Sequence, residues 1–132
     1  MNLTGMLYGS KLLSYVGFPT AEVLGPEAGE EEIQKLIERN GSVFIKPQFR
    51  GGIGKKGKPG LIGRASDLKT ALKEIERLYF AEHRVGQISA KAKGASIEGA
   101  VPAEHEVYFA ITDSTIYRAP TMTLTHRGSV DI

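Results

Sequence analysis

The sequence contains no cysteine among its 132 residues. Disulfides, thiolate nucleophiles and cysteine-ligated zinc are therefore excluded. Long apolar runs are missing as well. No window approaches the ~18 apolar residues of a membrane-spanning helix. Near the N-terminus, Met6-Leu7-Tyr8 is broken by Gly9-Ser10-Lys11, which leaves no signal-peptide core. These absences predict a soluble, cytoplasmic protein. There is no internal repeat and no low-complexity segment. Histidine is scarce, and His83, His105 and His126 are too scattered for a local metal motif. Net charge is only +2, from 17 basic and 15 acidic residues, so the overall balance selects no partner. The length suits one domain with a modest core, or part of a larger one.

What is present is unevenly placed. Residues 27–38 are acidic, whereas residues 46–64 carry six basic side chains (Lys46, Arg50, Lys55, Lys56, Lys58, Arg64), six glycines and no carboxylate. Val43-Phe44-Ile45 leads into this segment and Leu61-Ile62 leads out, a pattern that predicts strand, long loop, strand. Glycine lets a backbone turn several N–H groups toward one point, and the lysines add charge where those groups aim. Such a loop attracts a polyanion, most economically a nucleotide phosphate chain. A solvated loop that only keeps the protein soluble is the other reading of the same charges. Gly52, Gly54 and Gly57 fit G-x-G-x-x-G, but Lys58-Pro59-Gly60 blocks the helix that a dinucleotide fingerprint requires. Gly52 and Gly57-Lys58 fit the start of a P-loop, yet Pro59 stands where a magnesium-binding Ser or Thr is needed. A flap over phosphates remains, with Lys46 at the end of the first strand.

Along the chain, residues 3–16 read as a helix, with Leu3, Leu7, Leu12, Leu13 and Val16 near one face and Gly17-Phe18-Pro19 as the stop. Residues 20–24 form a short strand candidate. A second helix spans about residues 26–40, with glutamates in its first turns, a buried stripe of Ile33, Leu36 and Ile37, and Asn40-Gly41 as its end. A third begins after a Ser66 N-cap and repeats Leu68, Ala71, Leu72, Ile75, Leu78 and Tyr79 at helical spacing. Residues 85–90 and 95–101 read as two strands around the turn at 91–94. Residues 107–112 and 116–124 read as a hairpin turning at Asp113-Ser114. The order is α, β, α, β, loop, β, α and then four strands, an α+β arrangement. The run Val130-Asp131-Ile132, without a closing helix or polar tail, predicts an incomplete domain.

Besides the loop, three carboxylates stand out. Glu98, in the apolar-flanked run Ser96-Ile97-Glu98-Gly99-Ala100-Val101, could accept from an adenine amino group or a ribose, or could simply face solvent. Glu104 and Glu106 share one side of a strand at period two, suited to acid–base work, a metal or sugar hydroxyls, or again to a solvated face. The aromatic residues do not interleave with the basic cluster, and the RNA-recognition signature is absent.

Taken in order, Met1-Asn2-Leu3, Gly17-Phe18-Pro19, Val43-Phe44-Ile45-Lys46, Gln48, Gly51-Gly52-Ile53-Gly54-Lys55, Ile97-Glu98 and Glu106-Val107-Tyr108-Phe109 resemble the N-terminal part of the succinyl-CoA synthetase β subunit. The same order occurs in the related large subunits of citryl-CoA synthetase and ATP-citrate lyase. Lys46-Pro47 and Gly57-Lys58-Pro59-Gly60-Leu61-Ile62-Gly63 look more like the citrate-using members. The resemblance extends across the chain to Arg127-Gly128-Ser129-Val130-Asp131-Ile132, similar to the family's Gly-Gly-Val-(Asp/Glu) segment.

That resemblance implies an ATP-grasp fold, with residues 20–99 as the smaller subdomain and residues 1–19 and 104–132 as the first elements of the second. It implies that Lys46 contacts the ATP phosphates and that Gly52, Ile53 and Gly54 form the flap. Glu98 would sit by the adenine, the Val101 backbone at the ring edge, and Glu106 on the ribose hydroxyls. The implied reaction is ADP-forming carboxylate–CoA ligation, in which ATP phosphorylates a histidine of a CoA-binding partner subunit or downstream domain. ATP and Mg²⁺ are the implied cofactors, with the magnesium ligands outside this chain, a hetero-oligomer as the full enzyme and no membrane. The chain alone is expected to turn over no substrate. The loop is one residue longer than the succinyl-CoA synthetase pattern, so the resemblance does not fix which of Lys55, Lys56 and Lys58 reaches phosphate. Two other classes remain: a small basic nucleic-acid-binding protein using the loop, and a non-catalytic scaffold.

Overall fold

The computed structural model describes residues 6–49, 60–85 and 88–126. The chain divides into two compact units, Met1–Val101 and Pro102–Ile132. In the first, strands β1 (Val23–Leu24), β2 (Val43–Gln48), β3 (Gly63–Ala65) and β6 (Gly94–Gly99) form an antiparallel sheet in the order β1-β6-β2-β3. Side chains of β2 alternate between the two faces. Val43, Ile45 and Pro47 are buried, and Phe44, Lys46 and Gln48 point the other way and are half-buried.

The first face is covered by α2 (Glu30–Asn40) and α3 (Leu68–Ile75). In α2, Gly29 caps the N-terminus and Glu32 accepts from its N–H at 2.9 Å. The stripe Ile33, Leu36 and Ile37 is buried as its spacing predicts. The helix stops at Gly41, whose φ of +73° disfavours any residue with a Cβ and whose N–H reaches Ile37 O at 2.7 Å. In α3 the cap is Asp67 rather than Ser66, because its carboxylate accepts both the backbone N–H (2.8 Å) and the hydroxyl (2.7 Å) of Thr70. A single π-helical turn, Glu76–Phe80, continues α3 and delivers Leu78 to the core. Ile33, Leu36, Val43, Ile45, Leu78 and Ile97 are its largest fully enclosed members. Each buried Leu or Ile contributes roughly 1.5–3 kcal/mol.

Three expectations about the strands of the first unit are corrected. First, β2 runs past Ile45 through Pro47 to Gln48, so Lys46 lies within the strand. Among the described residues, β3 pairs only with Val43–Ile45, which leaves the far end of β2 without a described neighbour on that side, an edge position where sheets accept proline. Second, the segment after α3 yields two strands, β4 (Glu82–Val85) and β5 (Ile88–Lys91), which pair with each other. β6 instead joins β2 and β1, so residues 91–94 connect separate sheets. Third, Leu61-Ile62 is not a strand, and the return strand starts two residues later at Gly63.

Helix α1 (Met6–Tyr15) ends as predicted at Gly17. Its φ is +85°, and Gly17 N–H to Ser14 O and Phe18 N–H to Leu13 O close a Schellman motif. Leu12, Leu13 and Val16 of its apolar stripe are exposed.

In the second unit, β7 (Tyr108–Ser114) and β8 (Ala119–Thr125) form an antiparallel hairpin. Its turn is residues 115–118, not Asp113-Ser114, which are still paired with Pro120 and Ala119. Ser114 Oγ accepts from Tyr117 N–H at 3.1 Å, and Arg118 closes the turn at φ +51°. Glu104 and Glu106 precede β7 outside any strand, so they do not form the two-residue strand face expected of them. Among the described residues, no helix is long and apolar enough to cross a membrane.

Candidate functional site

The register of the central sheet brings chemistry to the face away from the helices. Lys46 lies directly opposite Ser96, and Phe44 opposite both Glu98 and Arg64. Same-face neighbours two residues apart on adjacent strands lie within reach of long side chains. Lys46 Nζ thus reaches diagonally to Glu98 Oε2 at 2.5 Å, while Ser96 Oγ donates to Glu98 Oε1 at 2.7 Å. The Glu98 side chain is 7% exposed and that of Lys46 24%. Ser96 is fully enclosed.

This arrangement decides between the two readings of Glu98. It is no solvent-facing strand residue: a buried carboxylate has both oxygens engaged, one by a cation and one by a hydroxyl. Among the described residues, no buried side-chain nitrogen or oxygen lacks a partner. The pair is net neutral. Lys46 therefore sits charged but compensated, with its ammonium still partly open to solvent.

A second cation shares the face. The Arg64 guanidinium lies 5.6 Å from the centroid of the Phe44 ring, and its Nη2 reaches Ser42 Oγ at 3.5 Å. Ring contact fixes such a group without neutralising it. An open depression of about 570 Å³ lies beside it, lined in part by Asn40, Ser42, Arg64, Ser66, Asp67 and Thr70. Asp67 is held below the usual carboxylate range by the hydrogen bonds from Thr70.

The residues bordering the basic, glycine-rich segment on both sides are anchored to residues 74–83, at the end of the third helix and the start of β4. At the entry, the Phe49 ring meets His83 edge-on with centroids 5.7 Å apart, and His83 Nε2 bonds Leu78 O at 3.0 Å. At the exit, Arg77 Nη1 donates to Gly60 O at 2.6 Å while its Nη2 pairs with Glu74 at 2.5 Å. Hydrogen bonding from Arg77 lowers the Glu74 pKa, and the same bond raises that of Arg77. Gly52, Ile53 and Gly54, with the rest of residues 50–59, lie outside the described residues.

Of the expected site residues, the structure brings Lys46 and Glu98 together. Val101, two residues beyond β6, is exposed and ends the first unit. Glu106 belongs to the second unit and is exposed there. Ser96 was not among the expected residues. The one available signal was its period-two relation to Glu98, which places both on one strand face. Among the described residues, no group of three or more His, Asp or Glu side chains is disposed to hold a metal.

No protein-family model matches the chain, and no curated protein matches it. Among solved structures, ATP citrate lyase from Methanothrix soehngenii in complex with citrate and coenzyme A is similar over 93% of this chain, at 21% identity and a TM-score of 0.54. The chain spans 29% of that protein's length. At this identity the likeness speaks to fold. The protein has an α+β, antiparallel-sheet fold similar to part of that ATP citrate lyase.

Proposed function

We propose that this chain is the ATP-binding part of an ADP-forming carboxylate–CoA ligase of the citryl-CoA or succinyl-CoA type, ATP citrate lyase included. The observation that carries the reading is the Lys46–Glu98 pair, built on adjacent strands of one sheet face, on the strand that runs into the basic glycine segment. A partly exposed ammonium at that place is the group a phosphate chain requires, and the flap glycines would add backbone donors. The likeness in fold to an enzyme solved with citrate and coenzyme A supports the same choice.

In this reading Lys46 takes a phosphate oxygen, while Gly52, Ile53 and Gly54 cover the chain from the other side. Glu98 and the Val101 backbone lie toward the adenine. Magnesium would neutralise charge developing on the transferred phosphoryl group, held by ligands supplied from outside this chain. The acyl-CoA chemistry belongs to a CoA-binding partner subunit or domain in a hetero-oligomer, and the assembly works in the cytoplasm.

Equilibrium binding of labelled ATP tests the proposal. The chain should bind ATP weakly, and Lys46→Ala should weaken it about tenfold, the loss of one charge-assisted contact. Tight RNA binding with a steep salt slope, unaffected by ATP, would replace this reading with a nucleic-acid-binding one. Robust ATP hydrolysis by the 132-residue chain would contradict the expectation that it does not turn over alone.

A further inference from the structure

We infer that Ser96 is a positioning residue for Lys46, acting through Glu98. Three observations carry the inference. Ser96 is fully enclosed, so its hydroxyl has no water to turn to. It donates to Glu98 Oε1 at 2.7 Å, which fixes the carboxylate plane. The other oxygen, Oε2, then meets Lys46 Nζ at 2.5 Å. A carboxylate free to rotate would offer Lys46 a range of positions, and the ammonium would follow it. With one oxygen pinned, the second is a fixed point, and Lys46 is presented in one place.

The same hydroxyl matters when Lys46 leaves. This part rests on the proposed nucleotide reading. An ammonium that turns from Glu98 to a phosphate oxygen strips the buried carboxylate of its counter-charge. Ser96 stays bonded and keeps that carboxylate in place for the return of Lys46. Among the described residues, the charged groups on this sheet face are Lys46, Glu98 and Arg64. The strand on the far side of β6 places Val23 opposite Glu98 and contributes no charge there.

The test reads the amine itself, without nucleotide. Only a neutral, unbonded amine reacts with a small acylating reagent, so a held ammonium is labelled slowly. The rate at Lys46 is measured by mass spectrometry against exposed Lys11 in the same molecules. Loss of one hydrogen bond to a charged group should raise the Lys46 rate by about tenfold in Ser96→Ala, with Lys11 unchanged. Ser96→Thr, which keeps the hydroxyl, should label at the original rate. Ser96→Cys is somewhat larger but fills the site and weakens the donor, and carries the same test where alanine fails to fold. A general loss of stability would leave exposed Lys11 unmoved, so it is read separately by denaturant unfolding, and labelling rates are compared under conditions where each variant is folded. An unchanged Lys46 rate in the alanine or cysteine variant, or an equal rise in Ser96→Thr, overturns the inference. Protection of Lys46 by added ATP is read separately, so failure of the nucleotide reading is not confused with failure of the role given to Ser96.

Discussion

Two antiparallel pairings in this chain follow the same rule and end differently. β2 and β6 alternate their side chains, and so do β7 and β8. In the first pair one face is sealed by the stripes of α2 and α3, and the other carries a charged network. In the second, Phe109, Ile111, Met122 and Leu124 share one face through the register Phe109↔Leu124 and Ile111↔Met122, and each is more than half exposed. Alternation therefore sets which residues share a face. Burial requires a second layer with a matching stripe, and among the described residues only the first unit supplies one within itself.

The contrast can be broken by mutation. The largest effect should come from Leu36→Ala, which opens a cavity between α2 and the sheet and should cost about 2–5 kcal/mol by denaturant unfolding. Met122→Ala on the hairpin should cost within about 0.5 kcal/mol, as for an exposed side chain. Equal losses would erase the distinction between the two pairings. Next comes the charged face of the central sheet. Lys46→Met strips buried Glu98 of its cation and should cost about 3 kcal/mol, the low end for breaking a buried pair because Lys46 is partly exposed. Replacing both partners by apolar residues should recover much of that loss, and failure to do so would show that the face is held by something else. Gly63→Ala comes third. A Cβ there would lie 2.6 Å from Glu74 Oε2 and 3.0 Å from Leu78 Cδ1, so about 1–3 kcal/mol of overpacking is expected.

A smaller effect than these three concerns the Arg77–Glu74 pair at Gly60. Because Arg77 lowers the folded-state pKa of Glu74, the pair stabilises above the ordinary carboxylate pKa and loses that contribution as pH falls through the lowered value. Both side chains are partly solvated, so Arg77→Gln should cost at most about 1 kcal/mol at neutral pH. The difference from the parent chain should shrink in acid. A difference that grew with falling pH would contradict the assignment.

Much of the first unit was legible from local pattern. The Ile33, Leu36, Ile37 stripe and the Asn40-Gly41 stop are short-range signals, and they hold. What sequence could not show was partner choice among strands. β5 and β6 are equally strand-like, yet one pairs with β4 and the other with β2, because pairing is decided by long-range burial. The apolar run Val43-Phe44-Ile45 placed Lys46 at the end of the first strand, but β2 continues through Pro47 to Gln48 where β3 no longer pairs with it. Lys46 and Glu98 stood out by type and by family resemblance. Their contact, and the part of Ser96 in it, needed the register.

The central claim is that Lys46 receives the phosphate chain of a nucleotide. The most direct measurement is the carbon NMR signal of the Lys46 side chain, assigned by Lys46→Arg, during titration with ATP and then with adenosine. The account predicts that ATP moves this signal and that adenosine leaves it in place. ATP binding that shifts other lysines while Lys46 stays fixed on Glu98 would contradict it.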